Sequence, residues 1–295
     1  MKTIKKILAA LLAGVMAVSL TACGGNSSSE GSSTGGSSVT GSITASGSSA
    51  LLPLAQDAAD QFKEKYPDVS ITINGGGSGT GLKQVADGSV DIGNSDVAAE
   101  EKLEADQASE LVDHKVCVIT MAPIINKELA KDVTNLTKQQ LIDIFTGKVT
   151  NWNEVGGPDE EIVLVTRPQT SGTRALFKEY ALDGNEEVSG GALETDDSGT
   201  LLQSVSDNKG AIGYVALSYL VNNDSVSTVS IDGVEPTMEN TYNGTYPVWG
   251  YEHMYTKGEP TGAIKEYLNF ITSEEYGNQM EEQGYCVTSK MTVTR

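Results

Sequence analysis

This chain is poor in histidine and cysteine, and its basic side chains are half as many as its acidic ones. Its 295 residues include 2 His and 3 Cys. His114 and His253 stand far apart, as do Cys117 and Cys286, so no metal-ligand spacing can be read and no cofactor is expected. A serine triad needs a histidine base, yet both histidines lie in apolar or aromatic runs, and no G-x-S-x-G elbow occurs. No acidic cluster suggests a two-metal phosphatase. The composition therefore argues against an enzyme. Lys and Arg number 20 against 40 Asp and Glu, a net charge of −20. Such a field repels nucleic acid and anionic membrane, so both are poor partners. No repeat of solenoid type is present. Cys117 sits in the apolar run Val116-Cys117-Val118-Ile119, which makes buried thiols the default, although an exported chain leaves a disulfide with Cys286 open.

The N-terminus reads as an address. Lys2, Lys5 and Lys6 precede an apolar run, Ile7 to Leu20, that is too short to span a membrane. It ends Leu20-Thr21-Ala22-Cys23, which resembles the lipobox of bacterial lipoproteins. That resemblance implies a signal peptide over residues 1–22 and a diacylglycerol on Cys23, holding the protein to the cell membrane outside the cytoplasm. Residues 23–41 are almost wholly Ser and Gly, a flexible tether. Without the three signal lysines the net charge becomes −23. An anion is repelled at long range by that charge. Any anion site must work through local dipoles and hydrogen bonds.

About 250 residues remain, enough for two modest lobes. Ile43 to Ser46 reads as a strand. Leu51, Leu54, Ala55, Ala58, Ala59, Phe62 and Tyr66 describe an amphipathic helix stopped at Pro67. Val69 to Ile73 is a second strand, Asn74 to Gly81 a Gly-rich loop, Leu82 to Ala86 a short helix, and Val90 to Gly93 a third strand. Leu111 to Asn126 is a strand that leaves the first lobe and is broken at Pro123. Thr137-x-x-Gln140 is a capping-box start with Leu141, Ile142, Ile144 and Phe145 as the buried face. Further strands are expected at 162–166, at 210–215 with a helix after it, and at 246–251. A last helix, Ala263 to Ile271, is expected to return to the first lobe. The alternation argues α/β, with ligand loops at the carboxyl ends of parallel strands.

Arg167 to Tyr180 organises the rest. Ser171, Gly172 and Thr173 stand between a buried strand and a helix, whose start carries unpaired N–H groups and a partial positive charge. Arg167 adds a planar donor fork. The plainer reading is an N-cap beside a surface arginine. Three more loops, 47–51, 75–81 and 94–96, join strand ends to helix starts, and two of these carry hydroxyls beside glycine. The Gly-rich loop is not a P-loop, because Leu82 follows Gly81 where lysine is required. It also lacks the third glycine of a dinucleotide fingerprint. A second Ser-Gly-Thr, 198–200, has no upstream arginine and is crowded by Asp196 and Asp197. It reads as a solvated N-cap.

Taken together, G-S-S-A-L-L-P (47–53), G-S-G-T-G-L-K-Q (77–84), D-I-G-N-S-D (91–96), R-P-Q-T-S-G-T (167–173) and G-A-I-G-Y-V (210–215) resemble the phosphate-binding proteins of bacterial high-affinity ABC phosphate importers. The resemblance spans the chain after the tether. It implies a type II periplasmic-binding-protein fold, with lobe 1 over residues 42–118 and 248–295, lobe 2 over 119–247, and the ligand in the cleft between them. It implies a monomer that captures inorganic phosphate and serves the permease and ATPase subunits of an importer. By position it assigns phosphate contacts to Ser49, Ala50, Leu51, Leu52, Ser78, Asp96, Arg167, Ser171, Gly172 and Thr173, with Thr80 a further candidate donor. Some members have threonine where Leu51 stands, so Ser49 or backbone N–H groups must serve there. Asp96 beside an anion is repulsive unless the ligand carries a proton, as hydrogen phosphate does and sulfate does not. The same fold tuned to sulfate, molybdate or a small organic anion is the neighbouring alternative.

Overall fold

The computed structural model describes residues 39–188 and 193–295. The expected signal peptide, the lipidated Cys23 and most of the tether lie outside the described residues. No helix among the described residues is long and apolar enough to cross a membrane.

The described chain runs β1 (Gly41–Gly47), α1 (Leu52–Lys65), β2 (Val69–Gly75), α2 (Ser78–Asp87), β3 (Ile92–Ser95), α3 (Ala105–Ala108) and β4 (Leu111–Asn126). It continues β5 (Asn135–Leu136), α4 (Lys138–Phe145), β6 (Val163–Thr166), α5 (Gly172–Tyr180), β7 (Leu193–Glu194), α6 (Ser198–Asp207) and β8 (Ala211–Ala216). Last come β9 (Val226–Thr228), β10 (Ser230–Ile231), α7 (Met238–Tyr242), β11 (Trp249–Lys257), α8 (Gly262–Ile271) and α9 (Glu274–Glu282). The main sheet has the order β2-β1-β3-β11-β4-β8-β6-β7, with β9 also on β4.

Strand β4 joins two halves of this sheet. Its residues 111–120 pair antiparallel with β11, and Met121 to Ile125 pair antiparallel with β8. Strand β11 also pairs antiparallel with β3, and β9 with β4, while β1 runs parallel with β2 and β3, and β6 with β7 and β8. The loops that follow β1, β3 and β6 therefore leave from carboxyl ends, as the alternation predicted.

Local signals carry much of this. Helix α1 buries Leu54, Ala55, Ala58, Ala59 and Phe62, and each large apolar side chain so buried is worth about 1.5–3 kcal/mol. Tyr267 of α8 and Tyr276 of α9 donate to the carbonyls of Ala55 and Leu54, which fastens the C-terminal helices onto α1. Both bonds of the Thr137–Gln140 capping box form.

Several expectations are corrected. Pro123 does not break β4: it pairs with Tyr214, and its carbonyl accepts from Val229. The Gly-rich loop is shorter, because α2 already begins at Ser78. After β8 comes only a 3-10 turn, Leu217–Tyr219, and the return strand β11 starts at Trp249 rather than 246. Helix α9 was not foreseen. Cys117 and Cys286 are free and buried, and burial pushes both thiols above their ordinary range.

Candidate functional site

Four helix starts face one another. Helices α1 and α2 begin without a side-chain cap, after Leu51 and Gly77, so their first N–H groups stay unpaired by side chains. Ser171 caps α5 and Asp197 caps α6. Such starts concentrate partial positive charge.

Arg167 at the end of β6 is fully buried. Its Nη1 donates to the Asp196 carbonyl at 3.1 Å, and its Nη2 donates to Ser198 Oγ at 3.0 Å and the Tyr214 carbonyl at 3.3 Å. Arg174 donates in turn to the Arg167 carbonyl. From the other half of the sheet, Ser49 donates to the same Asp196 carbonyl at 2.7 Å, and its Oγ lies 3.0 Å from Ser198 Oγ. Asp96 follows β3. Its N–H donates to Ser78 Oγ at 3.0 Å, and its Oδ2 accepts from Thr173 Oγ1 at 2.6 Å, across the two halves.

The approach of the halves is close enough to require glycine. A Cβ on Gly172 would fall 2.2 Å from Ser78 Oγ. A Cβ on Gly77 would fall 1.7 Å from Asp196 Oδ2, and φ of +83° at Gly77 disfavours any side chain as well. The Gly79 N–H donates to the Thr170 carbonyl at 3.0 Å. Lys102 Nζ donates to the carbonyls of Gln169 at 2.9 Å and Ser171 at 3.2 Å. These contacts hold the halves together above the cluster. A cavity of about 540 Å³ opens beside Lys102, Gln169 and Arg174. None of Ser49, Ser78, Asp96, Arg167 or Thr173 lines it, and all five are buried, so the cluster is sealed from solvent.

Inside the seal, hydrogen-bonding capacity is left over. Asp96 Oδ1, Arg167 Nε and both carboxylate oxygens of Asp196 are buried without a hydrogen-bond partner. Buried polar atoms are normally paired, because an unpaired one costs ~1–3 kcal/mol. A buried acceptor and a buried donor left over suit a ligand that offers both a proton and oxygens. Burial raises the Asp196 carboxyl above the ordinary carboxylate range, opposed by Ser171 and Arg167, and burial likewise lowers the Lys102 ammonium.

Ser49, Ser78, Asp96, Arg167, Ser171, Gly172 and Thr173 are thus brought together. Ala50 and Leu51 are buried beside them, with the Ala50 carbonyl taking the Tyr285 hydroxyl and the Leu51 N–H taken by Ser48 Oγ. Leu52 opens α1, half-buried, while Thr80 is half-buried in the first turn of α2 and bonds Gly77 through its N–H. The Ser198 motif needs correction. Ser198 is not a solvated cap but fully buried against Arg167 and Ser49, and Asp196, read as crowding charge, offers its carbonyl to both Arg167 and Ser49. Tyr219, whose hydroxyl donates to the Ser49 carbonyl at 2.7 Å, also went unnoticed. The repeated Ser-Gly-Thr was the available signal for Ser198; nothing local marked Tyr219 or Lys102.

The histidines lie elsewhere. His253 Nδ1 bonds Asp113 at 2.7 Å and His114 Nε2 bonds Thr256 at 3.0 Å. Among the described residues no group of three His, Cys, Asp or Glu side chains could hold a metal ion.

An α/β sheet in two halves, closed over a buried cluster of donors, is the architecture of a solute-binding protein, and residues 32–275 match the PBP superfamily domain. The chain belongs to that superfamily and, within it, to the family of the PstS phosphate-binding proteins. It is 47% identical to the Bacillus subtilis phosphate-binding protein PstS, over 100% of this chain and 98% of that protein. Among solved structures it resembles a substrate-binding protein with bound phosphate from Clostridium perfringens, at a TM-score of 0.76 and 37% identity, covering 83% of this chain and 99% of the other. An ABC-type phosphate transport receptor from Vibrio cholerae follows at 0.65 and 28%, covering 83% and 99%.

Proposed function

We propose that this protein captures inorganic phosphate, as hydrogen phosphate, in the buried cluster and delivers it to the permease and ATPase subunits of an ABC importer. The observation that carries this reading is that Asp96 and Arg167 are both buried among hydroxyls, the one with an unsatisfied carboxylate oxygen and the other with an unsatisfied guanidinium N–H. Arg167, Ser78, Ser171 and the helix N-termini donate to the ligand's oxygens, Ser49 and Thr173 do so by turning their single O–H from the Asp196 carbonyl and from Asp96, and Asp96 accepts the hydrogen bond from its proton. A fully ionised sulfate would set two unshared anions face to face.

The protein works as a monomer outside the cytoplasm, held by lipid on Cys23. Lobe 1 comprises residues 42–118 and 248–295 and lobe 2 residues 119–247, hinged where β4 changes partner from β11 to β8. The engagement of both histidines away from the cluster supports capture rather than hydrolysis, and incubation with a phosphomonoester is expected to release no phosphate.

Competition of labelled phosphate against sulfate tests the reading. A site built around one buried polar contact rejects the analogue lacking it by ~10⁴ or more, so wild type keeps phosphate in large sulfate excess. Asp96→Asn supplies an amide that also donates, and sulfate then competes. Release of phosphate from wild type at equimolar sulfate would remove Asp96 as the proton reader.

A further inference from the structure

Next to Asp96 in the fold stands a second buried carboxyl group to which no role has been assigned. Glu252 lies on β11 and is 0% exposed. The register that sets His253 opposite Ser95 brings it level with Asp96, while across β4 it faces Cys117. Ser48 Oγ, which also fixes the first loop by accepting the Leu51 N–H, is 3.4 Å from Glu252 Oε1. Asp96 is the charged group that acts most strongly on the Glu252 carboxyl.

The titratable groups around Glu252 are Asp96, Cys117 and Tyr285, and none of them is a cation. Two oxygens here lack a partner, Glu252 Oε2 and Asp96 Oδ1. Two ionised carboxylates cannot satisfy each other, and an unpaired charge at this depth costs several kcal/mol. One proton shared between them satisfies both groups. A carboxylate oxygen has two lone pairs, so Asp96 Oδ1 can take a proton from Glu252 and still accept one from a ligand.

We propose that Glu252 is a positioning residue: a neutral acid that donates its O–H to Asp96, fixes that carboxylate against the first loop through Ser48, and so keeps Asp96 an acceptor specific for a protonated oxyanion. The proposal rests on the phosphate reading of the Asp96 cluster. Burial is the largest cause holding the Glu252 carboxyl well above the ordinary range, with the charge of Asp96 next. The proton on Glu252 stays in the protein throughout the binding cycle, and the proton that Asp96 reads is the ligand's own.

The test compares wild type with Glu252→Leu, which keeps the volume and deletes the donor, and Glu252→Gln, whose amide can donate to Asp96. Inorganic phosphate and sulfate are titrated at neutral pH, and infrared difference spectra are recorded for the carboxylic-acid C=O stretch. Glu252→Leu is expected to weaken phosphate roughly tenfold or more and to lower the phosphate-over-sulfate ratio, as loss of a bond to a charged group does. Glu252→Gln is expected to recover most of both. Wild type should show a buried protonated-acid band that Glu252→Gln lacks. Tighter phosphate binding by Glu252→Gln than by wild type, by tenfold or more, would mean that Glu252 is ionised and would overturn the proposal. So would a missing band, or a Glu252→Leu protein with unchanged affinity and ratio. The infrared band is read without ligand, so it decides the protonation of Glu252 even if wild type binds no phosphate, an outcome that would sink the phosphate reading instead.

Discussion

Gly172→Ala separates binding from folding. Gly172 opens α5 with ordinary helical geometry, so alanine there introduces no backbone strain and, by helix propensity, favours the helix by up to ~1 kcal/mol. Every close contact of the new methyl group lies across the cleft. It would meet Ser78 Oγ at 2.2 Å, Ser78 Cβ at 2.8 Å and Asp96 Cβ at 3.0 Å. Contacts under 3.0 Å force either a shift of the Ser78 backbone or a gap between the halves. Forcing a methyl group into a packed interface costs ~1–3 kcal/mol, and because only the closed state contains the contact, the cost falls on ligand binding. That is about five- to 150-fold in Kd. The assay is calorimetric titration with phosphate, joined to thermal unfolding without it. Gly88→Ala is the control: Gly88 ends α2 at φ +78° with nothing within 4 Å of a Cβ, so alanine there should lower the melting temperature and leave phosphate affinity alone. A Gly172→Ala protein that binds phosphate within threefold of wild type would refute the argument, as would one that loses both stability and affinity like a misfolded chain.

Arg167→Ala should be the most damaging single change for phosphate, by ~3–5 kcal/mol or two to four decades in affinity, because it strips a buried anion of its one guanidinium; titration of the folded variant checks this. Phosphate should also compact the protein in small-angle scattering, and an unchanged radius of gyration despite tight binding would count against hinge closure. Glu187 gives a pH prediction. Its Oε1 accepts from the Tyr214 hydroxyl at 2.6 Å, and burial pushes its carboxyl from 4.5 up to about 7. The folded protein therefore keeps a proton that the unfolded chain has released, so stability falls as pH rises from 4.5 to about 7, by on the order of 3 kcal/mol, and is flat above. Glu187→Gln should abolish that slope in denaturant titrations; parallel curves for the two proteins would exclude Glu187 as its source. Lys102→Met removes two bonds across the cleft and should raise the phosphate off-rate several-fold, read by stopped flow.

By itself the sequence determined whatever depends on neighbours a few residues apart. The Thr137–Gln140 box, the α1 face that stops at Pro67, the strand before Arg167 and the helix after Ser171 are each governed by contacts within one turn or by period-two alternation. Even the place of the four loops at strand ends followed, because parallel strands leave their exits on one edge. Pairings between distant segments were decided only by the tertiary structure. Ser198 and Asp196 looked like a solvated, overcharged helix start, since nothing near them in sequence supplies a cation. Arg167, reaching from β6, gives Ser198 its donor and takes the Asp196 carbonyl. Ser49 meets Ser198 from 149 residues away, and Glu252 comes level with Asp96 only because β11 returns beside β3. Pro123 looked like a break because its local bias is against a strand interior, yet β8 and β9 supply partners that hold the strand through it. Local propensity is worth tenths of a kcal/mol per residue, whereas a buried charge without its partner costs several. The fold therefore settles where such charges go, and that balance lies beyond any short window of the chain.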